Sequence, residues 1–126
     1  MCGIAGIIHM DGRSVDQSVL DCMTDALAHR GPDGRGTYIN NGVGVGHRRL
    51  SIIDLSDAGS QPMQSTDGNV ILTYNGEIYN FKEKKKELEV KGHAFRSRCD
   101  TEVLLALYQE YGTACLDHLQ IGRAHV

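Results

Sequence analysis

The sequence predicts an α+β fold in which mainly antiparallel sheets are flanked by helices. Three observations predict it: extended segments follow one another as adjacent hairpins, helical patterns occur singly between them, and no repeat or linker interrupts the chain. A doubly wound parallel sheet would instead alternate its strands with crossover helices. With 126 residues, 40% of them hydrophobic, the chain is long enough for one modest domain with a core.

The first predicted elements are a strand and a helix. Cys2–His9 is an apolar segment with the length of a buried strand. Ser14–His29 repeats apolar residues at helical spacing. Ser14 and Gln17 fit a capping box at the start of this helix, and Gly31-Pro32 ends it.

A hairpin and a further extended segment follow. Thr37–Ile39 and Val43–Arg48 are predicted strands, because Asn40-Asn41-Gly42 between them is a hairpin signal. The glycines of Gly42–Gly46 resemble a phosphate-binding loop superficially, but no Lys-Ser/Thr pair and no helical pattern follow them. We therefore interpret them as part of a strand. Leu50–Leu55 is apolar and is predicted to be extended.

The second half of the chain predicts a strand, a helix, a short strand and another helix. The strand covers Val70–Tyr74 and follows a turn at Asp67-Gly68. The remaining three elements are a charged helix, a short strand and a final helix, at Asn80–Lys91, Ala94–Arg96 and Thr101–Tyr111.

The bulk properties argue against several classes of function. The net charge of −3 gives no sign of nucleic-acid binding, and no apolar run is long enough to cross a membrane. The N-terminus lacks a basic segment followed by an apolar stretch, so we expect no signal peptide and a cytoplasmic location. The four cysteines and six histidines show no metal-ligand spacing, so no metal site is predicted. Cys22 and Cys115 are expected to be small core residues.

Cys2 is the strongest candidate for a nucleophile. Removal of Met1 would leave a residue that carries both a thiol and a free α-amino group. The amine, with a pKa of about 7.7–8.0, can accept the thiol proton through a bridging water. No histidine is then needed as the base, and we interpret His9, His29 and His47 as structural.

Asn75-Gly76 has two interpretations. An Asn side-chain amide and a Gly backbone N–H are suitable donors for an oxyanion hole. The same dipeptide is also the strongest signal for a type I′ hairpin turn, and both interpretations stay open on local grounds.

Arg49 and Asp100 also have two interpretations each. The Arg49 guanidinium has the shape to bind a carboxylate in bidentate fashion, and Asp100 is suited to receive an ammonium group. Arg49 is equally compatible with a surface ion pair, and Asp100 with a helix cap.

Together these segments resemble the glutaminase domain of the asparagine synthetase family (glutamine-hydrolysing), a class II glutamine amidotransferase. The resemblance runs from Cys2 to about Gln120. The strings that carry it, besides Cys2-Gly3-Ile4, are Arg30–Asp33, His47–Asp54, Gly59–Met63, Tyr74–Asn80 and Cys99–Glu102. It implies an N-terminal nucleophile hydrolase fold, with two stacked antiparallel sheets between helical layers, incomplete at its C-terminus.

The resemblance also implies a reaction and a set of roles. Cys2 would attack the side-chain amide of glutamine and form a γ-glutamyl thioester, with its own amine moving the protons. Asn75 and Gly76 would stabilise the tetrahedral oxyanion. The residues that would hold glutamine are Arg49, Leu50, Ser51, Ile52, Ile53, Asn75, Gly76, Glu77 and Asp100.

Family members carry a second, C-terminal domain that binds ATP and Mg²⁺ and amidates aspartate or another acceptor with the ammonia. This chain contains no Ser-Gly-Gly-x-Asp-Ser string, so we expect that domain to be absent and no cofactor to be bound here. The expected partners are glutamine and a synthetase domain that receives ammonia, within a homodimer when full length. The acceptor stays open.

The end of the chain departs from the family pattern. Residues 1–120 are interpreted as a partial amidotransferase domain. Ile121–Val126 resembles the translation of a sequencing adapter, and we interpret it as a non-native tail. Missing strands would expose apolar faces and unpaired edges, so low stability is expected. The alternative to an enzyme is a non-catalytic or inactive glutamine-binding module, which retention of Met1 would favour.

Overall fold

The computed structural model describes residues 1–52 and 55–122. These residues form two compact units. The first unit contains Met1–Ile52, Ser60–Pro62 and Thr73–Asn75. The second contains the described residues of 53–59, together with Met63–Leu72 and residues 76–122.

The first unit is built on a three-stranded antiparallel sheet. Its strands are β1 (Gly3–Ile8), β2 (Gly34–Asn40) and β3 (Val43–Arg49), in the order β1-β3-β2. The predicted hairpin joins β2 to β3, with Asn41 at a positive φ of 49°. Asparagine tolerates this left-handed conformation better than most residues, which explains why the local signal was reliable.

A single helix, α1 (Gln17–Asp25), packs on this sheet. The predicted capping box at Ser14 and Gln17 is wrong, because the side chain of Asp16 accepts the Ser18 N–H at 2.8 Å instead. The backbone of Asp16 is extended, as is usual for a capping residue, and the preceding Val15 N–H donates to the Asn41 carbonyl at 3.0 Å.

Two glycines allow α1 and the turn that follows it to lie close to the sheet. A methyl group at Gly46 would overlap the hydroxyl of Thr24, and one at Gly3 would come within 2.9 Å of Leu27 Cβ. The glycine-rich β3 is therefore a strand packed against a helix, as the sequence predicted, and residues 50–52, the described residues directly after it, are not helical.

The second unit combines two helices with two small antiparallel sheets. The helices are α2 (Phe81–Val90) and α3 (Asp100–Tyr111), which pack against each other. The strands, β4 to β7 in chain order, are Met63–Gln64, Ile71–Leu72, Glu77–Ile78 and Ile121–Gly122. β4 pairs with β5, and β6 pairs with β7. Short 3₁₀ helices cover Asp57–Gly59 and Gly112–His118.

The core of the second unit is centred on α3. Every residue from Asp100 to Leu107 is buried. Met63, Cys99 and Leu105 form a cluster against which Val70 and Leu72 pack. Cys99 is therefore a core residue of this unit, and its thiol lies 3.0 Å from the Ser97 hydroxyl.

Several predicted elements differ from the structure. The strand at Ala94–Arg96 is absent, because the backbone N–H groups of Arg96 and Ser97 donate to the buried carboxylate of Glu102 at 2.9 and 2.7 Å. The described residues of Leu50–Leu55 form no strand. The strand at Val70–Tyr74 shortens to two residues, and Thr73 and Tyr74 belong to the first unit.

The α+β class with antiparallel sheets and helices is confirmed. Of the two cysteines expected in a core, Cys115 is buried as predicted and Cys22 is exposed on α1. Ile121 and Gly122 pair with Ile78 and Glu77, while 123–126 lie outside the described residues. The interpretation of the last six residues stays a prediction.

Candidate active site

The thiol of Cys2 is held by the backbone at the end of β3. Gly3 pairs with Arg48 in the sheet, so Cys2 lies beside the residues that follow β3. The Leu50 N–H donates to Cys2 Sγ at 3.3 Å, and the thiol lies 3.7 Å from the Leu50 carbonyl. The sulfur of Cys2 is therefore fixed against the backbone of Leu50. Cys2 as a whole is half-buried.

The carbonyl group of Cys2 is held from two further positions. It accepts a hydrogen bond from Arg30 Nε at 3.2 Å and another from Asn75 Nδ2 at 2.9 Å. The Asn75 amide therefore lies next to the candidate nucleophile, where an oxyanion-hole donor is needed.

The hairpin interpretation of Asn75-Gly76 is wrong. β5 ends at Leu72 and pairs with β4, whereas β6 begins at Glu77 and pairs with β7. Asn75-Gly76 consequently does not connect two paired strands. The oxyanion-hole interpretation keeps its support from the contact between Asn75 and Cys2.

Asp33 anchors the segment that carries Arg49, Leu50 and Ser51. The Asp33 N–H donates to the Arg49 carbonyl at 3.0 Å, and Asp33 Oδ2 accepts the Ser51 N–H at 2.9 Å. Gly31 lies so close to this segment that a methyl group there would overlap the Arg48 carbonyl. The sequence does not reveal these contacts of Asp33 and Arg30, although both residues lie in the string Arg30–Asp33 that carries the family resemblance.

His47 lies on β3 and is completely buried. Its Nδ1 is 2.9 Å from the hydroxyl oxygen of Thr73, while its Nε2 is buried with no hydrogen-bond partner among the described residues. The pKa of His47 falls from 6.5 to about 4, chiefly because burial disfavours the imidazolium and secondly because the positive charge of Arg49 is near. The imidazole is therefore neutral at neutral pH.

We expect acid to destabilise the protein through His47. The unfolded chain binds a proton on His47 more tightly than the folded chain does. The free energy of unfolding is therefore not reduced by His47 above about pH 6.5, and it falls as the pH drops toward 4. At about 1.4 kcal/mol per pH unit, the free energy of unfolding falls by up to about 3 kcal/mol. Urea unfolding of the wild type and His47→Asn at about pH 7 and about pH 4.5 measures this loss. An equal loss in both proteins would contradict the assignment.

The remaining predicted site residues divide between the two units. Ile52 is exposed in the first unit, and Ile53 lies outside the described residues. Gly76, Glu77 and Asp100 belong to the second unit, so their pairing with Arg49 around one substrate stays a prediction. Within the first unit, the structure brings together Cys2, Leu50 and Asn75.

Asp100 is a buried carboxyl group at the start of α3. Its Oδ2 accepts the Ile78 N–H at 3.0 Å, and Cys99 rather than Asp100 occupies the cap position. Burial raises the pKa of Asp100, although the hydrogen bond from Ile78 acts in the opposite direction. An ammonium group placed beside this carboxyl would favour its charged form.

Neither a metal-binding cluster nor a membrane-spanning helix is found in the part of the chain that the structure describes. No group of three or more His, Cys, Asp or Glu side chains there could hold a metal ion. None of the helices there is long and apolar enough to cross a membrane.

Comparison with known proteins identifies the family. The family model of the glutamine amidotransferase domain matches residues 1–122. Asparagine synthetase (glutamine-hydrolyzing) 3 of Bacillus subtilis is 41% identical over 122 residues, which are 94% of this chain and 20% of that protein. Asparagine synthetase (glutamine-hydrolyzing) 1 of Arabidopsis thaliana is 40% identical over 121 residues, again 94% of this chain and 20% of that protein.

A further relative carries a different name. Amidase chry2 of Gibberella zeae is 39% identical over 132 aligned positions, covering 95% of this chain and 20% of that protein. The chain thus spans about one fifth of the length of these curated relatives. Because the family match covers nearly the whole chain, this protein belongs to the glutamine amidotransferase domain family.

Proposed function

We propose that the chain hydrolyses the side-chain amide of glutamine to glutamate and ammonia. The observation that carries this proposal is the position of Cys2 in a chain of the glutamine amidotransferase family. Its sulfur accepts a backbone N–H from Leu50, and the Asn75 amide binds the carbonyl of the same residue. A nucleophile and a candidate oxyanion donor are therefore adjacent.

The nucleophile requires the removal of Met1. Met1 is 39% exposed, so it is accessible to an aminopeptidase. The freed α-amine of Cys2 accepts the thiol proton through a water molecule, and the thiolate attacks the carboxamide carbon of glutamine. One residue then supplies both the nucleophile and the base.

The reaction proceeds in two halves. In the first half, the new S–C bond makes a tetrahedral oxyanion, which the Asn75 amide and the Gly76 N–H stabilise. The C–N bond breaks, the protonated amine returns its proton to the leaving group, and ammonia departs from a γ-glutamyl thioester. In the second half, water attacks the thioester, and the C–S bond breaks to give glutamate and the thiol. The α-amine takes the proton of the attacking water and returns it to sulfur.

The amino-acid part of glutamine is held by charge complementarity. The Arg49 guanidinium binds the α-carboxylate, and Asp100 receives the α-ammonium group. The other residues assigned to this subsite are Leu50, Ser51, Ile52, Ile53 and Glu77. The hydrogen bonds of Asp33 to the backbone of Arg49 and Ser51 support the role of Arg49, because they fix the segment that carries it.

The glutaminase works as part of a larger amidating enzyme. We place it on an N-terminal nucleophile hydrolase fold, with its ammonia passed to an ATP- and Mg²⁺-dependent synthetase domain in a cytoplasmic homodimer. Names of relatives at 40–41% identity support this proposal. An acceptor other than aspartate is the second candidate, favoured by the similarity to an amidase.

A glutamine assay tests the proposal. After Met1 removal is verified by intact mass, glutamine should yield glutamate and ammonia in equal amounts, whereas asparagine, one methylene shorter, should not react. A glutamine analogue with an electrophilic carbon in place of the carboxamide should label the peptide that contains Cys2. Unchanged glutamine together with an unlabelled Cys2 would refute the proposed reaction.

A further inference from the structure

The segment Thr73–Asn75 belongs to the first unit, and in the sequence it follows β5 and precedes β6. It is part of no strand, so no ladder of sheet hydrogen bonds sets its position. Side-chain hydrogen bonds hold it instead. The His47 imidazole bonds the Thr73 hydroxyl, and the side-chain carbonyl of Gln61 accepts the Tyr74 N–H at 2.6 Å. The Asn75 side-chain amide donates to the Cys2 carbonyl.

His47 is the most deeply buried of the residues that make these hydrogen bonds. It sits on the central strand of the sheet, where its register partners are Ile4 on β1 and Gly36 on β2. Its side chain is completely buried, so the imidazole has little freedom to move away from the Thr73 hydroxyl. The position of Thr73 is thereby tied to the strand that leads directly to Leu50.

The buried Nε2 of His47, which has no hydrogen-bond partner among the described residues, indicates that packing alone does not explain a histidine at this position. Burying a polar atom without a hydrogen bond is unfavourable, because the atom loses its hydrogen bonds to water and gains none in the protein. An aliphatic side chain would fill the same space without that cost. The bond to Thr73 is the interaction that an imidazole makes here and an aliphatic side chain does not.

We propose that His47 is a positioning residue for the Asn75 amide, acting through its hydrogen bond to Thr73, two residues before Asn75. This proposal rests on the proposed glutaminase function. Oxyanion donors act over a narrow range of about 2.7–3.1 Å, and a misplacement of about 1 Å can cost on the order of 100-fold in rate. Fixing Thr73 therefore bears directly on catalysis without His47 touching the substrate.

Replacing His47 by asparagine or glutamine distinguishes the roles of its two ring nitrogens. In His47→Asn the side-chain amide can reach the position of Nδ1, whereas in His47→Gln it reaches toward Nε2. Thr73→Val removes the partner hydroxyl at nearly constant volume, and Thr73→Ser retains it. The exposed His29, replaced by Gln, is the matched control.

The expected result is a change in kcat rather than KM. His47→Gln and Thr73→Val should each lower kcat for glutamine hydrolysis about tenfold or more, with KM within about threefold of the wild type. His47→Asn and Thr73→Ser should recover most of kcat, and the double variant His47→Gln/Thr73→Val should be no slower than the slower single variant. Rates are taken per active site titrated with the electrophilic glutamine analogue, so a loss of folded protein does not imitate the effect.

A second measurement does not depend on activity. The ¹⁵N signal of the Asn75 side-chain amide should shift or broaden in His47→Gln and Thr73→Val, and stay near its wild-type position in His47→Asn and Thr73→Ser. An unchanged signal in all four variants would overturn the positioning role, as would unchanged kcat per site. If the wild type does not hydrolyse glutamine but the signal responds as expected, the proposed function fails and the positioning role stands.

Discussion

Replacing Cys2 by alanine is expected to reduce glutamine hydrolysis by on the order of 10³-fold or more. Without sulfur no thioester forms, so the remaining donors have no covalent intermediate to stabilise. The rate of glutamate release under saturating glutamine measures this loss. Circular dichroism is expected to be unchanged, because Cys2 precedes β1 and only its sulfur is removed.

Two controls give the Cys2 result its meaning. Cys22→Ala removes an exposed thiol on α1 and is expected to leave the rate unchanged. A chain with one extra, unprocessed residue before Cys2 keeps the thiol but turns the α-amine into an amide, and it should be as inactive as Cys2→Ala. Full activity in that extended chain would exclude the amine as the base, and full activity in Cys2→Ala would exclude the mechanism.

The second large effect is expected at Asn75. Asn75→Ala should lower kcat by about 10²–10³-fold, the usual loss for one oxyanion-hole donor. KM should change little, because the bond to the oxyanion is made in the transition state and not to bound glutamine. Steady-state kinetics on the variant and the wild type separate the two quantities.

Asn40→Ala is the matched control for Asn75→Ala. Asn40 is an exposed asparagine at the end of β2, so its replacement removes the same amide away from Cys2. A second variant, Asn75→Asp, tests whether the donor N–H of Asn75 is what matters, since Asn75 also donates to the Cys2 carbonyl. The carboxylate keeps the size but presents no donor, so it should be at least as slow as alanine. A normal kcat in both Asn75 variants would remove Asn75 from the oxyanion hole.

Local signals predicted the elements whose cause is local. The signal Asn40-Asn41-Gly42 predicts the β2–β3 hairpin, and in the structure Asn41 has a positive φ of 49°. The pattern of Thr101–Tyr111 followed by Gly112 predicts α3, and Gly112 has a φ of 59° that few other residues adopt. In both cases the decisive residue lies inside the element or directly beside it.

The wrong predictions have distant or competing causes. The strand expected at Ala94–Arg96 is replaced by hydrogen bonds to Glu102, which lies on α3. Asp16 rather than Ser14 caps α1, and the residue before it, Val15, is hydrogen-bonded to Asn41 in the hairpin turn. Apolar character and spacing carry no information about such partners.

Residue patterns along the chain were sufficient to predict the α+β class, the family and the candidate nucleophile. The surroundings of that nucleophile, in contrast, depend on how the chain folds. The partners of Cys2 lie far along the chain, with Leu50 48 positions and Asn75 73 positions away. The burial of His47 against Thr73 was likewise visible only in the folded chain. Such contacts arise when β1 pairs with β3 and brings the start of the chain to the end of β3, and they leave no periodic mark in the sequence.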